Sequence, residues 1–319
     1  MRKTAVLFAG QGAQSIGMGR DFYEGSIVAR QIYDTAWHIL GYDVKRVCFE
    51  QNDHINHTQY TQPSILVTSL AIYYTLMEHM DINVDAFLGF SLGEYSALHA
   101  CGIFDLETII SLIQKRANYM AQASLKTKGS MAAVIGLERD VLRSICEEVT
   151  KDAGLVQVAN YNSSNQLVIS GESDAVAIAC EKAKARGAKR AVVLNVSGGF
   201  HTPLMSEAAD KMLQEIRNTK FATPKVDIIM NCDAKILSNI KELPIKMSNQ
   251  IKGPVYFEDS IKHLIELGFD TFIEIGPGQV LSGLVRKIDG NKAVISIDKM
   301  ADIDKLKLIL GGENNGTNE

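Results

Sequence analysis

The chain has 319 residues, 46% hydrophobic and 22% charged, enough for one large core or for a core plus a smaller unit. Its net charge of −4 excludes a basic stripe for nucleic acid and a polybasic anchor for a membrane surface. Cys48, Cys101, Cys146, Cys180 and Cys232 lack Cys-x-x-Cys spacing, which predicts reduced core thiols and no metal site. Gln11 and Gln14 interrupt the apolar start before a secretory core forms, and the apolar run 65–77, broken by Thr68, Ser69 and Thr75, is too short to span a bilayer. A cytoplasmic protein is expected.

A first strand over 4–10 stops at Gly10-Gln11-Gly12-Ala13-Gln14-Ser15. Ser15 stands where a dinucleotide fingerprint needs its third glycine, and no second strand ending in an acidic residue follows at the required distance. What remains is a glycine-rich loop whose backbone N–H groups can face an anion. Helical patterns with polar breaks fill 21–76, and Pro63 is expected to open a helix over 64–80. A strand over 86–90, a helix over 92–101 and a helix over 106–124 follow, the last carrying Arg116.

Between 129 and 196 the predicted order is strand, helix, strand, strand, helix, strand, with strands at 130–136, 155–161, 166–171 and 189–196. That is the split β-α-β, ferredoxin-like arrangement, which predicts a small inserted domain over 129–196. The chain then resumes with a helix over 203–218, strands at 226–231, 271–275 and 293–297, and helices at 257–267, 280–287 and 303–310. Strands alternating with helices predict a mostly parallel sheet covered on both faces. The large domain is therefore discontinuous, 1–128 and 197–310, and a disordered tail is expected at 311–319.

Gly89-Phe90-Ser91-Leu92-Gly93 has the Gly-x-Ser-x-Gly spacing between a predicted strand and a predicted helix. In such a turn the glycines let the serine occupy a strained backbone conformation with its hydroxyl exposed, which makes Ser91 a candidate nucleophile. The competing reading is a serine that only caps the helix starting near Leu92. An alcohol needs a base at neutral pH. Of seven histidines, His38, His79 and His263 fall on helical patterns, His99 follows the serine on its own helix, and His54 and His57 lie in a polar loop. His201 sits in a loop between the last small-domain strand and a helix near Pro203, a place suited to a positioned base or to a surface histidine at a helix start.

These residues, with Phe8 through Gln14, Thr61-Gln62-Pro63-Ser64-Ile65, Gln114-Lys115-Arg116, Asn160-Tyr161-Asn162-Ser163, Phe200-His201, Asn249-Gln250 and Glu274-Ile275-Gly276-Pro277-Gly278, strongly resemble the malonyl-CoA:acyl carrier protein transacylase family. The family is similar to the acyltransferase domains of polyketide synthases. The resemblance implies an α/β fold with a hydrolase-like core and an inserted ferredoxin-like domain. It also implies ping-pong malonyl transfer for fatty acid biosynthesis, with Ser91 attacking the thioester and His201 taking its proton. Backbone N–H groups of Gln11 and Leu92 would form the oxyanion hole, and Arg116 would pair with the free carboxylate of malonyl. By the same pattern the backbone carbonyl at Gln250 orients the histidine in place of a triad acid.

The resemblance further implies malonyl-CoA and acyl carrier protein as partners and no bound cofactor; composition and charge predict no nucleic acid, membrane or metal partner, and a monomer is expected. Phe90 departs from the family, which usually has histidine before the nucleophile, a change that bears on acyl selectivity more than on the serine chemistry. Phe200 is the malonyl-type residue; a smaller one would admit a methyl branch. Competing functions are a free-standing acyltransferase or acyl hydrolase serving a polyketide synthase, a small-molecule serine esterase, and a non-catalytic binding module. A buried Arg116 argues against a hydrolase of uncharged acyl chains.

Overall fold

The computed structural model describes residues 3–311. Its strands are β1 (Lys3–Phe8), β2 (Ala86–Gly89), β3 (Gly129–Ile135), β4 (Val156–Ser163), β5 (Gln166–Glu172), β6 (Arg190–Val193), β7 (Asp227–Met230), β8 (Lys235–Ile236), β9 (Phe269–Ile275) and β10 (Ala293–Ile297). Six of them form one sheet in the order β10-β9-β1-β2-β7-β8, and the other four form a second in the order β4-β5-β3-β6. The first sheet is parallel except for the β7–β8 pair, and the second is antiparallel throughout.

The large sheet is buried on both faces because its central strands are continuous apolar runs. Along β1 and β2 alternate residues separate cleanly. Ala5, Leu7, Ala86 and Leu88 pack under helices Phe257–Glu266 and Val280–Ile288, whereas Val6, Phe8 and Phe87 face helix Thr58–His79 and its neighbours. Each such Phe or Leu contributes about 1.5–3 kcal/mol by leaving water. The small sheet obeys the same period of two with a different outcome. Ala132, Val134, Val156, Val158, Leu167 and Ile169 pack on helices Arg139–Ala153 and Ser173–Ala185, and the opposite face carries Met131, Ala159 and Val168 toward the large sheet.

Several predicted boundaries change. Pro63 does not open its helix, which begins at Thr58. The N–H groups of Tyr60 and Thr61 bond the His57 carbonyl, and the Thr61 hydroxyl bonds the carbonyls of Ile55 and His57, so a full turn is secured before the proline. The last small-sheet strand ends at Val193, after which the chain turns away to bring Leu194 and Val196 to a cavity wall. The helix expected over 203–218 is a 3-10 turn, Pro203–Met205, followed by helix Ser206–Arg217. The stretch 232–256, where no element is predicted, contains β8 and helix Leu243–Lys252. The final helix runs Met300–Gly311, so Gly311 belongs to it, and the rest of the expected tail lies outside the described residues. No helix among the described residues is long and apolar enough to cross a membrane.

Candidate active site

The Ser91 turn is built at the carboxyl end of β2. A Cβ at Gly89 would fall 1.9 Å from the Gly93 carbonyl carbon, and one at Gly93 would fall 2.3 Å from the Phe8 carbonyl oxygen. Only glycine permits that approach, so strand, turn and helix Gly93–Ala100 close tightly on each other. Ser91 between them has φ 53°, a left-handed conformation that costs a residue with a Cβ about 1–2 kcal/mol. Its backbone N–H donates to Asn231 Oδ1 at 2.8 Å, and its carbonyl accepts from Gln250 Nε2 at 2.6 Å and from the Glu94 N–H at 3.1 Å.

His201 lies in the turn that leaves the small sheet, also with positive φ, 60°. Its backbone carbonyl accepts from Gln157 Nε2 at 2.9 Å, which ties the turn to β4. The ring is 2.8 Å from both its partners: Nδ1 meets the Gln250 carbonyl and Nε2 meets Ser91 Oγ. A carbonyl can only accept, so Nδ1 carries the proton and the Nε2 lone pair receives the serine hydroxyl. Burial, and next the positive charge of Arg116, push the imidazole from 6.5 down to about 4, against the carbonyl bond that favours the charged form. The histidine is thus neutral, and able to accept a proton, at any pH above that value.

Arg116 reaches the same point from helix Leu106–Lys126 and is 1% exposed. Its Nη1 donates to Gln62 Oε1 at 2.6 Å, and its Nη2 donates to Gln250 Oε1 at 3.0 Å and to Ser91 Oγ at 3.2 Å. The guanidinium carbon stands 5.4 Å from the Tyr95 ring centre, and Nε has no partner. No ion pair of Arg116 occurs among the described residues; burial disfavours its charge, and Tyr95 and Glu94 favour it to a smaller extent. Desolvating an uncompensated cation costs several kcal/mol, and an incoming anion would offset that cost.

Gln11 and Leu92 flank the serine on two sides. Among the described residues the backbone N–H groups of both lack a protein acceptor. Gln11 lines the cavity that holds Ser91 and His201, a space of about 220 Å³ between the glycine-rich loop and the inner face of the small sheet. Met120, Met131, Val168 and Phe200 give it apolar walls, and Asn160 and Asn162 give it polar ones. Phe90 also lines it, edge-on to Phe257 at 5.5 Å, and a Cβ at Gly10 would lie 2.8 Å from the Phe90 ring. The phenyl group here therefore fits against a bare glycine. Glu274, in the Glu-x-Gly-Pro-Gly motif, accepts from the N–H groups of Leu281 and Ser282 at 2.9 and 2.7 Å and serves as a cap. Among the described residues no group of three or more His, Cys, Asp or Glu is placed to hold a metal.

The structure brings Ser91, His201, Arg116 and the Gln250 carbonyl into one hydrogen-bonded set. Sequence reasoning gave no role to Gln62, Gln157 or Asn231, which complete it. Helix Leu243–Lys252, which carries Gln250, had a legible signal in Pro244 at its first turn and the apolar spacing Leu243, Met247, Ile251. Asn231 had none, since its partners lie 140 residues away in the chain.

A family model described as an acyl transferase domain matches residues 6–301. The chain is 38% identical over 315 residues to the malonyl CoA-acyl carrier protein transacylase of Bacillus subtilis (strain 168), covering 98% of this chain and 99% of that one. The crystal structure of MCAT from Streptococcus pneumoniae superposes with a TM-score of 0.91 at 41% identity, over 95% of this chain and 99% of that one. A malonyl-transacylase solved in complex with its type II PKS acyl-carrier protein superposes with a TM-score of 0.92 at 33% identity, over 98% of this chain and 100% of that one.

Proposed function

The chain belongs to the acyl transferase family, and from that premise we propose that it moves a malonyl group from malonyl-CoA to the phosphopantetheine thiol of acyl carrier protein, for fatty acid biosynthesis. Transfer is ping-pong. His201 Nε2 takes the Ser91 proton as Oγ attacks the thioester carbonyl, and the resulting oxyanion is held by the N–H groups of Gln11 and Leu92. The C–S bond breaks, the imidazolium returns its proton to the departing CoA sulfur, and malonyl remains as a Ser91 ester. The carrier thiol then attacks that ester, giving its proton to His201, and Ser91 Oγ recovers a proton as it leaves. CoA enters within the substrate and phosphopantetheine arrives on the carrier, so no resident cofactor takes part, and the reaction belongs in the cytoplasm.

The observation that carries malonyl is Arg116, a buried cation without an ion pair whose Nη2 lies 3.2 Å from Ser91 Oγ. A planar guanidinium holds a carboxylate through two parallel hydrogen bonds, and an acyl group bound to Ser91 places its far carboxylate within that reach. Gln250 supports the reading twice, because its carbonyl fixes the histidine tautomer and its side chain accepts from Arg116 at 3.0 Å. We also read the chain as two units, 129–196 inserted into a catalytic unit of 1–128 and 197–310. In support, the insertion's ends touch: a Cβ at Gly129 would lie 2.3 Å from the Gly199 nitrogen.

The test is intact-protein mass spectrometry with malonyl-CoA, methylmalonyl-CoA and acetyl-CoA in competition, followed by holo acyl carrier protein. The expected result is a malonyl adduct on Ser91 that disappears as malonyl-carrier forms. Ser91→Ala should lose at least about 10⁴-fold in transfer, and a malonyl adduct on that variant would refute the nucleophile. The relative solved with a polyketide carrier favours a second reading of the acceptor. Faster transfer to a polyketide carrier than to a fatty acid carrier would establish it.

A further inference from the structure

Asn231 follows β7, is fully buried, and makes four hydrogen bonds around the Ser91 turn, the longest of them accepted by its Oδ1 from Gln250 Nε2 at 3.5 Å. Its Oδ1 accepts from the Ser91 N–H at 2.8 Å, its Nδ2 donates to the Gly89 carbonyl at 2.6 Å, and its own backbone N–H donates to Glu94 Oε2 at 2.6 Å. The parallel pairing of β2 with β7 ends at Leu88 and Ile229. Beyond that point the chain must turn, and backbone pairing cannot continue. The carboxamide continues it instead, supplying one acceptor and one donor where the next stretch of strand would have supplied them.

We propose that Asn231 is a positioning residue for the transfer reaction, clamping Ser91 in its left-handed conformation so that the Leu92 N–H is the one left for the oxyanion. The inference rests on Ser91 being the nucleophile. The peptide joining Phe90 to Ser91 has its N–H turned into the protein by Asn231, which withdraws that donor from the cavity. The next peptide has its carbonyl held by Gln250 Nε2, at 2.6 Å, and by the Glu94 N–H, at 3.1 Å. A trans peptide points its C=O and N–H in opposite directions, so fixing the Ser91 carbonyl fixes the Leu92 N–H on the other side. Glu94 sits behind the clamp as a fully buried carboxyl with one oxygen on the Asn231 N–H and the other without a partner. Through Glu94 the first turn of helix Gly93–Ala100 is locked to the end of β7.

The experiment compares wild type, Asn231→Ala and Asn231→Asp by rapid-quench acylation with malonyl-CoA, mapping the adduct by peptide mass and checking the folded fraction by circular dichroism. Asn231→Ala is expected to lose about 10²-fold in acylation rate at saturating malonyl-CoA, the scale of a small misplacement of a reacting group. Its KM should stay within about threefold, since Asn231 touches no substrate. Asn231→Asp keeps the acceptor for the Ser91 N–H and loses the donor to Gly89, so its rate should fall between the two. A wild-type rate in folded Asn231→Ala, or a loss that resides in KM, would overturn the proposal. Should the alanine variant fail to fold, the near-isosteric aspartate decides: a reduced rate at unchanged KM supports the clamp and a wild-type rate refutes it. An adduct on a residue other than Ser91 would sink the nucleophile reading, whereas a Ser91 adduct formed at full rate without Asn231 sinks this inference alone.

Discussion

The two sheets divide the labour of the site. The large one is covered on both faces, and from its end come Ser91, the Leu92 N–H and the Asn231 clamp, while helix Leu106–Lys126 beside it supplies Arg116. The small one covers a single face with its own helices and lends the other, through Met131, Ala133 and Val168, to the wall of the cavity. A doubly buried sheet cannot shift without opening a core, so atoms that must stay within tenths of an ångström are best placed there. A sheet with one borrowed face can change its wall residues at little cost to its own core. On the proposed function, reaction geometry and acyl fit sit on different scaffolds, and His201, in the turn between them, is tied to both through Gln157 and Gln250.

Substitutions on the large-sheet side should do the most damage. Arg116→Ala is expected to lower malonyl transfer by about 10²-fold or more relative to acetyl transfer, the usual cost of truncating one partner of a buried charged pair. Competition between the two thioesters measures it, and an unchanged ratio would remove the arginine from carboxylate recognition. On the cavity wall, Phe200→Ser should raise methylmalonyl relative to malonyl use by about tenfold, the scale of one methyl group in an apolar pocket. Because Phe200 is 5% exposed, the same change should cost about 2–4 kcal/mol of stability, read from urea unfolding. Equal damage to both substrates would show that Phe200 does not set acyl fit.

The bridge between the regions gives the smallest effects. Gln157→Ala removes one hydrogen bond to the His201 carbonyl, worth about 1 kcal/mol, and should lower kcat about fivefold with KM nearly unchanged. The histidine itself should leave an acid limb well below the ordinary range. Its pKa is depressed to about 4, so the base is neutral above that pH and activity should be flat from about pH 5 to 7, falling as pH drops through 4. An acid limb near 6.5 in kcat/KM would mean that the ring is not buried beside Arg116 in the working enzyme. The linked effect on stability has the same sign. The unfolded chain binds the proton more readily than the folded one, so stability is lost as pH falls below about 6.5 and the loss levels off near 4.

Much of this division is legible in the chain. Continuous apolar runs such as Ala5–Phe8 announce strands buried on both sides, and the order strand, helix, strand, strand, helix, strand between 129 and 196 announces a second, smaller sheet with helices of its own. Ser91 stands out because a glycine two residues away on either side is a local requirement of its turn. His201 stands apart from the six other histidines only by its loop between a strand and a helix, a place that suits a base and a surface histidine equally, and Arg116 gains a role only through the family resemblance. Asn231 and Gln157 are invisible for a physical reason: their work is a contact across 140 and 44 residues of chain, and a lone amide carries no spacing that betrays it. The missed turn before Pro63 has a similar origin, since the Thr61 hydroxyl secures it through carbonyls that only the folded loop brings near.

Ser91 and His201 share one more property: with Ala234 they are the described residues other than glycine that hold positive φ. A directed-evolution campaign that rewarded thermal persistence alone would find glycine attractive at both places. Each exchange would relieve about 1–2 kcal/mol of backbone strain and discard the proposed nucleophile or its proposed base in the same step. Durability and turnover thus pull in opposite directions at two positions 110 residues apart, and any screen for a hardier variant has to score acyl transfer alongside heat resistance.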